Sequence, residues 1–573
     1  MFISEIKEIL NYRNLSGKTI KFNGDINFLI GENNVGKTNV LELLNTVISV
    51  GKFSEQDFTN ILEPIRIKFT IRYEEEAVGF FEDYFDIDDA NAITIVAIQE
   101  NVDGRIEYYH DTPTCMRISS SLIKKMNVLY YYAQRMPSKE LDFRKTSGSG
   151  KVLNYLVQKS LEQTGIDETE ILNHAEIEKL VHQLNEQICG LNTVTGDRIN
   201  AYLDPSMNKV ISRILMLGDE NRREIGSLGE GIQYAFNILL QIIETIHNVK
   251  ISRRDEDFQE RLIIVDGRKY FPMFLLLDEP EIHQHPHRQR NLIKKIDDLM
   301  HNKNLIFVTL LQELFQIDGL LGQIFVVTHS PNILLTDYRQ FIRVYRETGK
   351  NEVTIVSGMN INLEDKLYKH MLRNFLHLKE AMFSRCVVFV EGDTENGAVP
   401  VFAQRKRMDL DEHSIGVVKL DGADSVVRCM ELYKRFGIKS VAIIDRDKIS
   451  TYDGVENVYF TEEIDFEADV YANFNLMDYL CCCKELKMMN PFISILKKKE
   501  INFNVQDFLA DPKSVNIATD IQQIIMDENK DEQLEKLRGS KNALKGAILA
   551  EYVTSVPSTF SKVIDFLNTE GNI

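Results

Sequence analysis

Residues 31–38 read Gly-Glu-Asn-Asn-Val-Gly-Lys-Thr. They lie between a segment from Ile20 to Ile30 that reads as short strands and a segment from Val40 to Val50 that reads as a helix. Strand, glycine-rich loop and helix in that order make a phosphate cradle. Gly31 and Gly36 let backbone N–H groups of the loop, including those of Asn33 and Asn34, turn toward an anion, and the helix amino end adds a favourable dipole. Lys37 is placed to reach β- and γ-phosphate oxygens and Thr38 to ligate Mg²⁺, so the loop is read as an ATP-binding Walker A motif.

Farther along, Pro272–Pro280 (PMFLLLDEP) and Gly322–Pro331 (GQIFVVTHSP) are uniformly apolar runs ending in polar groups. That is the pattern of buried parallel strands with functional residues at their carboxyl ends. Asp278 is expected to orient the magnesium and Glu279 to polarise the attacking water. From Val152 to Leu191 the apolar positions recur at helical spacing, which predicts an inserted helical arm. His283, His285 and His287 carry an imidazole-rich spacing, but no cysteine lies close in sequence to complete a structural zinc site. The surrounding DEPEIHQHP resembles an ATPase D-loop region, which implies that the histidines position that loop.

A second alternation of apolar strands and helices starts near Arg385. Val387–Val390 leads into Glu391, Gly392, Asp393, Thr394 and Glu395, and Val441–Ile444 leads into Asp445, Arg446 and Asp447. A third acidic segment holds Asp465, Glu467 and Asp469. Carboxylates gathered from several strand ends supply the hard oxygen ligands that Mg²⁺ or Mn²⁺ requires, and two such ions about 4 Å apart can hold both oxygens of a phosphodiester displacement. Expected divisions are 1–150 and 216–375 for the two parts of the ATPase, 151–215 for the helical insertion and 376–573 for the second domain.

The chain has 573 residues, too many for one core, with 44% hydrophobic and 27% charged residues. Its formal charge of −19 argues against non-specific coating of nucleic acid through a wholly basic surface. Local strips at Arg405–Arg407 and Lys497–Lys499 remain available for phosphates or as solvated helix ends. Seven cysteines at irregular spacing give no disulfide framework and no CxxC pair. No apolar run is long enough for a bilayer and the first residues, MFISEIKEILNYRN, are not of the secretory kind, so a cytoplasmic protein without membrane partners is expected.

Ser227–Gln233 (SLGEGIQ) resembles the ABC signature loop, with Ser227 and Gly229 as its nucleotide-facing residues, and His329 resembles the switch histidine. The order Walker A, signature, Walker B, switch histidine is that of ABC ATPases of the SMC and RecF type, whose signature loop completes a partner's ATP site, so the resemblance implies a homodimer or larger homo-oligomer. It further offers Gln134 in YYYAQR as a Q-loop residue, with a plain strand-end glutamine as the alternative, and Arg13 as a nucleotide-contacting or structural arginine.

The strand-end pattern at Glu391 and Asp445 is similar to Toprim. An ABC-type ATPase with a helical, dimerising insertion followed by a Toprim domain resembles the OLD (overcoming lysogenization defect) family of ATP-dependent nucleases along nearly the whole chain. The resemblance implies metal ligands at Glu391, Glu395, Asp445, Asp447, Asp465 and Glu467. It also implies a basic residue near the scissile phosphate within Gly539–Lys545, either Lys541 or Lys545, with Lys541 the choice for the catalytic role, and a turn at Gly422. The implied activity is metal-dependent endonucleolytic cleavage of DNA in bacterial anti-phage defence, alone or beside a helicase or a retron reverse transcriptase with its nucleic acid. An ATP-gated DNA clamp or sensor without nuclease activity, and a Toprim nuclease acting on RNA or tRNA, are the alternatives.

Overall fold

The computed structural model describes the chain except residues 74–79, 82–83, 133–136, 144–146, 166–173, 192–197, 204–214, 253–254, 348–349, 421, 540 and 572–573. Gln134 lies outside the described residues. The chain divides into two compact units, Met1–Ile361 and Asn362–Ile573. A boundary at 375/376 would cut the helix Asp365–Ala381. That helix packs on the strand Ile415–Lys419 and the helix Ala423–Arg435, which fixes it to the second unit.

The first unit is built on two sheets. One is antiparallel, in the order Ile20–Lys21, Phe2–Leu10, Ile65–Arg72, Ala92–Gln99, Glu107–His110, Arg117–Ile118. The other runs Ile263–Val265, Arg268–Asp278, Gly319–Val327, Ile26–Ile30, Phe341–Arg346, Val353–Ser357, with Val128–Tyr131 also beside Arg268–Asp278. Its middle is parallel and its two edges antiparallel. All five residues of Ile26–Ile30 are buried, as are Phe271–Leu277, because strands buried on both faces must be apolar throughout.

The register sets Leu29 beside Val327 and Val327 beside Asp278. Three strands therefore end in one row, and the groups just beyond them, Gly31, Asp278–Glu279 and Thr328–His329, share one edge. The helix after the glycine loop begins at Lys37, earlier than its apolar periodicity indicates, and passes at Thr46–Val50 into a π-helical turn.

The insertion contains helices Ser149–Thr164 and His174–Leu191, and then, in place of further helix, an antiparallel strand pair, Ile199–Leu203 with Leu215–Asp219. The helices bury Val152, Leu153, Leu156, Leu180, Leu184 and Ile188 completely. Tyr155 donates to the Leu314 carbonyl (3.0 Å) and Lys151 to Asn248 (2.6 Å), so this apolar face is used within the unit itself.

The second unit holds a four-stranded parallel sheet, Ile415–Lys419, Cys386–Val390, Lys439–Ile444, Val458–Phe460. On the central strand, alternate residues serve opposite faces. Cys386, Val388 and Val390 join the core formed with helices Asp393–Arg405, Thr519–Arg538, Ala543–Tyr552 and Ser558–Gly571. Phe389 meets Tyr433 edge to face, ring centres 5.3 Å apart, and the Tyr433 hydroxyl donates to the Leu378 carbonyl.

Helices Asp393–Arg405 and Ala543–Tyr552 cross backbone to backbone. A Cβ on Gly397 would stand 1.8 Å from the Ala543 carbonyl, and one on Gly546 1.8 Å from that of Thr394. The basic strips are tied into the surface. Arg405 caps the Ala550 and Thr554 carbonyls, Lys406 lies 3.5 Å from Asp565 and Lys499 2.8 Å from Glu528. Among the described residues no helix is long and apolar enough to cross a membrane.

Candidate nucleotide and metal sites

The glycine loop has the backbone its sequence requires. Gly31 (φ +135°) and Gly36 (φ +99°) occupy conformations that side chains disfavour, and a Cβ on Gly31 would overlap the Val344 carbonyl at 1.9 Å. Asn14 braces the loop, donating to the Val35 carbonyl (2.9 Å) and accepting from Asn39 (2.7 Å). Arg13 is a structural clamp: it binds Asp57 (2.8 Å), Asn39 (2.7 Å) and Glu42.

Asn14, Asn33, Asn34, Gly36, Lys37, Thr38, Glu279 and His329 line a cleft of about 690 Å³. Lys37 folds back to donate to the carbonyls of Gly31 (2.9 Å) and Glu32 (2.5 Å). Burial pulls its pKa down to about 8 against the opposing pull of Glu279 and Asp278. Thr38 donates to Asp278 at 3.4 Å, and His329 Nε2 lies 3.4 Å from Glu279 Oε1. Burial, reinforced by Glu279, pushes Asp278 up to about 6. A triphosphate with its cation meets complementary charge here, a lysine for the anion and carboxylates for the metal.

Glu281, which the sequence reading passed over, holds the switch segment. It accepts hydrogen bonds from the Thr328 hydroxyl and the His329 amide (3.1 Å), and burial raises its pKa. Ser227 and Gly229 precede the helix Glu230–Ile251 and do not line this cleft. That helix begins against the histidine segment: His283 pairs with Glu230 (3.0 Å) and its ring lies 5.7 Å from Tyr234. His285 and His287 stack on each other, and His287 Nδ1 faces Arg290 at 2.7 Å.

In the second unit Glu391 follows the central strand, and its Oε1 accepts the Asp445 amide at 2.9 Å. Asp445 in turn accepts the Phe466 amide at 3.2 Å, which ties the third acidic segment to the other two. Thr394, 1–3 residues from the sequence-named carboxylates, bridges Glu395 (3.3 Å) and Glu467 (3.2 Å). Asp465 caps the helix Phe466–Ala472 through the Ala468 amide (2.9 Å) and binds Arg538 Nε (2.7 Å). Asp447 is half-exposed, paired with Lys448 at 2.9 Å and close enough to Glu391 to help raise its pKa.

The two candidate lysines separate. Lys541 Nζ lies 3.1 Å from Glu467 Oε2. Burial opposes its charge, but Glu467, Glu395 and Asp445 outweigh that and hold its pKa above the usual value. Lys545 is buried and donates to the Lys536 (3.2 Å) and Leu537 carbonyls, closing the end of the helix Thr519–Arg538.

Burial, with Glu395 and Glu391 close by, pushes Asp445 up to about 8, and burial with Glu467 pushes Glu395 up to about 7. Glu467 Oε2 is fully buried, with the Lys541 ammonium as its charged neighbour. Crowded, desolvated carboxylates of this kind fit a hard divalent cation with oxygen ligands. Among the described residues no three metal-binding side chains converge on one point, and Arg538 and Lys541 pair with two of the carboxylates.

Fold and sites together define a protein that joins an ATPase to a Toprim domain. A model of the AAA ATPase domain matches residues 117–334, and a model of the TOPRIM domain of overcoming lysogenization defect protein-like sequences matches residues 382–447. The chain thus carries, in one polypeptide, a region matching an AAA ATPase domain and a region matching an OLD-like TOPRIM domain. Comparison with curated proteins gives no match.

Among solved structures, the C-terminal region of the Burkholderia pseudomallei OLD protein aligns over 33% of this chain and 99% of its own at 16% identity and TM-score 0.20. An SMC head bound to the winged-helix domain of ScpA aligns over 62% and 98% at 14% identity and TM-score 0.38. The recombination mediator RecF aligns over 60% and 96% at 12% identity and TM-score 0.30.

Proposed function

We propose that the chain is an ATP-controlled, Mg²⁺- or Mn²⁺-dependent endonuclease acting on DNA in anti-phage defence. The observation that carries this reading is Lys541 set 3.1 Å from a fully buried Glu467 beside Asp445 and Glu395, a carboxylate cluster with one ammonium at its edge.

Glu391, Glu395, Asp445, Asp465 and Glu467 would hold the divalent ions, with Asp447 turning in from its place beside Glu391. When bound, the metal supplies an activated water and neutralises charge on the phosphodiester. Lys541 stabilises the added negative charge on the phosphorus centre. Glu391 is oriented by the Asp445 amide, and Asp465 by its capping bond, so both keep their aim as the site fills.

In the ATPase unit Lys37 binds the β- and γ-phosphates and Thr38 and Asp278 take the magnesium. Glu279 orients the hydrolytic water, and His329, held by Glu281 through the backbone, senses the γ-phosphate. Ser227 and Gly229, outside their own cleft, serve the site of a second copy, so the working form is a dimer or a larger homo-oligomer. A helicase or a reverse transcriptase with its nucleic acid is the partner class that a defence setting adds.

The test is cleavage of supercoiled plasmid in Mg²⁺ or Mn²⁺, with and without ATP. Glu391→Ala abolishes cleavage, and Lys37→Ala shows whether ATP drives it or restrains it. Cleavage that survives Glu391→Ala, or RNA cut in preference to DNA, overturns the reading.

A further inference from the structure

Two basic residues from the end of the helix Thr519–Arg538 and the segment after it meet the acidic site, and they do so differently. Lys541 pairs with Glu467, whose side chain is 0% exposed, whereas Arg538 pairs with Asp465, 18% exposed, and is itself 40% exposed. The second pair is open to water and ions, so its exchange for another cation costs little.

Asp465 does not depend on Arg538 for its position. Its Oδ1 accepts the Ala468 amide as the cap of the helix Phe466–Ala472, and only Oδ2 faces Arg538 Nε, at 2.7 Å. The carboxylate is thus held by backbone while its outward oxygen is neutralised by a side chain able to leave. Nor is Arg538 needed to finish its own helix, because Lys545 takes the carbonyls of Lys536 and Leu537. The Asp445 carboxylate accepts the neighbouring Phe466 amide, so Asp465 and Asp445 belong to one connected group.

We propose that Arg538 is a resident counter-ion of the Toprim site, competing with the divalent metal for Asp465, so that metal loading and release of Arg538 are one step. This rests on the metal-binding reading of the site. The consequence is a built-in threshold: at low divalent concentration the guanidinium keeps the carboxylate neutralised and the site incomplete. Substrate phosphates then arrive where a displaced guanidinium is at hand to meet them. Removing Arg538 therefore strengthens metal binding, the reverse of what loss of a structural brace would do. Arg538 is a positioning residue here, acting through Asp465.

The experiment is titration of the full chain with Mn²⁺ alone, followed by electron paramagnetic resonance, for the native protein, Arg538→Ala, Arg538→Lys and Asp465→Asn, with thermal unfolding measured on each. Arg538→Ala is expected to bind Mn²⁺ about three- to five-fold more tightly, the equivalent of losing one part-exposed ion pair. Arg538→Lys is expected to stay within about two-fold of native, since it restores the competing charge. Equal or weaker Mn²⁺ binding by a folded Arg538→Ala overturns the proposal while leaving the metal site standing. If Arg538→Ala does not fold, Arg538→Lys with unchanged stability and at least ten-fold weaker binding overturns it. No Mn²⁺ bound by any variant, the native protein included, overturns both the proposal and the metal-binding reading.

Discussion

Lys541 and Lys545 stand one helical turn apart in sequence, and spacing alone leaves their roles open; the side-chain environments divide them. Lys541→Ala is expected to lower plasmid cleavage by about 100-fold or more at temperatures where the variant is folded, because it removes a charge aimed at the reacting group. It is also expected to lower the unfolding midpoint, because buried Glu467 loses its partner. Lys545→Ala is expected to cost about 2 kcal/mol of stability by leaving the Lys536 and Leu537 carbonyls without a donor, measured by denaturant unfolding. Near-equal cleavage by Lys541→Ala and the native protein would remove Lys541 from the chemistry. Motif residues with a strand before them, such as Glu391 and Asp278, are legible because burial leaves a run of apolar letters ahead of the acid. Glu281, Thr394 and Arg538 are not, because their partners lie 47, 73 and 73 positions away and no local pattern marks them.

At the level of elements, two close approaches position the sites. The crossing at Gly397 and Gly546 brings the segment carrying Lys541 over Thr394 and Glu395. Gly546→Val is expected to push the helices apart, cost roughly 1–3 kcal/mol and reduce cleavage, while ATP hydrolysis stays at the native rate. The helix Glu230–Ile251 meets the insertion at His247, buried against Tyr155 with ring centres 4.2 Å apart and neither ring nitrogen hydrogen-bonded. Burial, helped by Lys151 and Lys250, pulls His247 down to about 4. Above pH 6.5 the imidazole is neutral in folded and unfolded chain alike. Between 6.5 and 4 only the unfolded chain gains the proton, so stability falls as pH drops, by up to about 3 kcal/mol. His247→Leu is expected to flatten that slope in unfolding midpoints measured from pH 7.5 to 4.5. The parallel strands of both sheets announce themselves in the sequence as apolar runs. The strand Phe2–Leu10 does not, since it is half-buried with Ile3, Ile6 and Ile9 inward, and two register shifts break the two-residue period.

Across the whole molecule, the separation of Ser227 and Gly229 from the cleft that holds Lys37 has a consequence for assembly. In the dimer proposed above, with two-fold symmetry, each site takes its Walker residues from one copy and its signature residues from the other. Lys37→Ala and Gly229→Asp are each expected to abolish ATP hydrolysis. Mixed in equal amounts under exchange, they restore one intact site in every mixed dimer, since the second site collects both lesions. Half of the dimers are then mixed and each has one of two sites, so the mixture recovers about a quarter of the native rate. The measurement is steady-state phosphate release as a function of mixing ratio, with a maximum at equal amounts. A flat, inactive profile after proven subunit exchange would place the signature loop's role inside its own chain, and hydrolysis by a strictly monomeric native protein would do the same. Because the Toprim unit shares the polypeptide, the same mixture read by plasmid cleavage reports whether one ATP site is enough to control cutting.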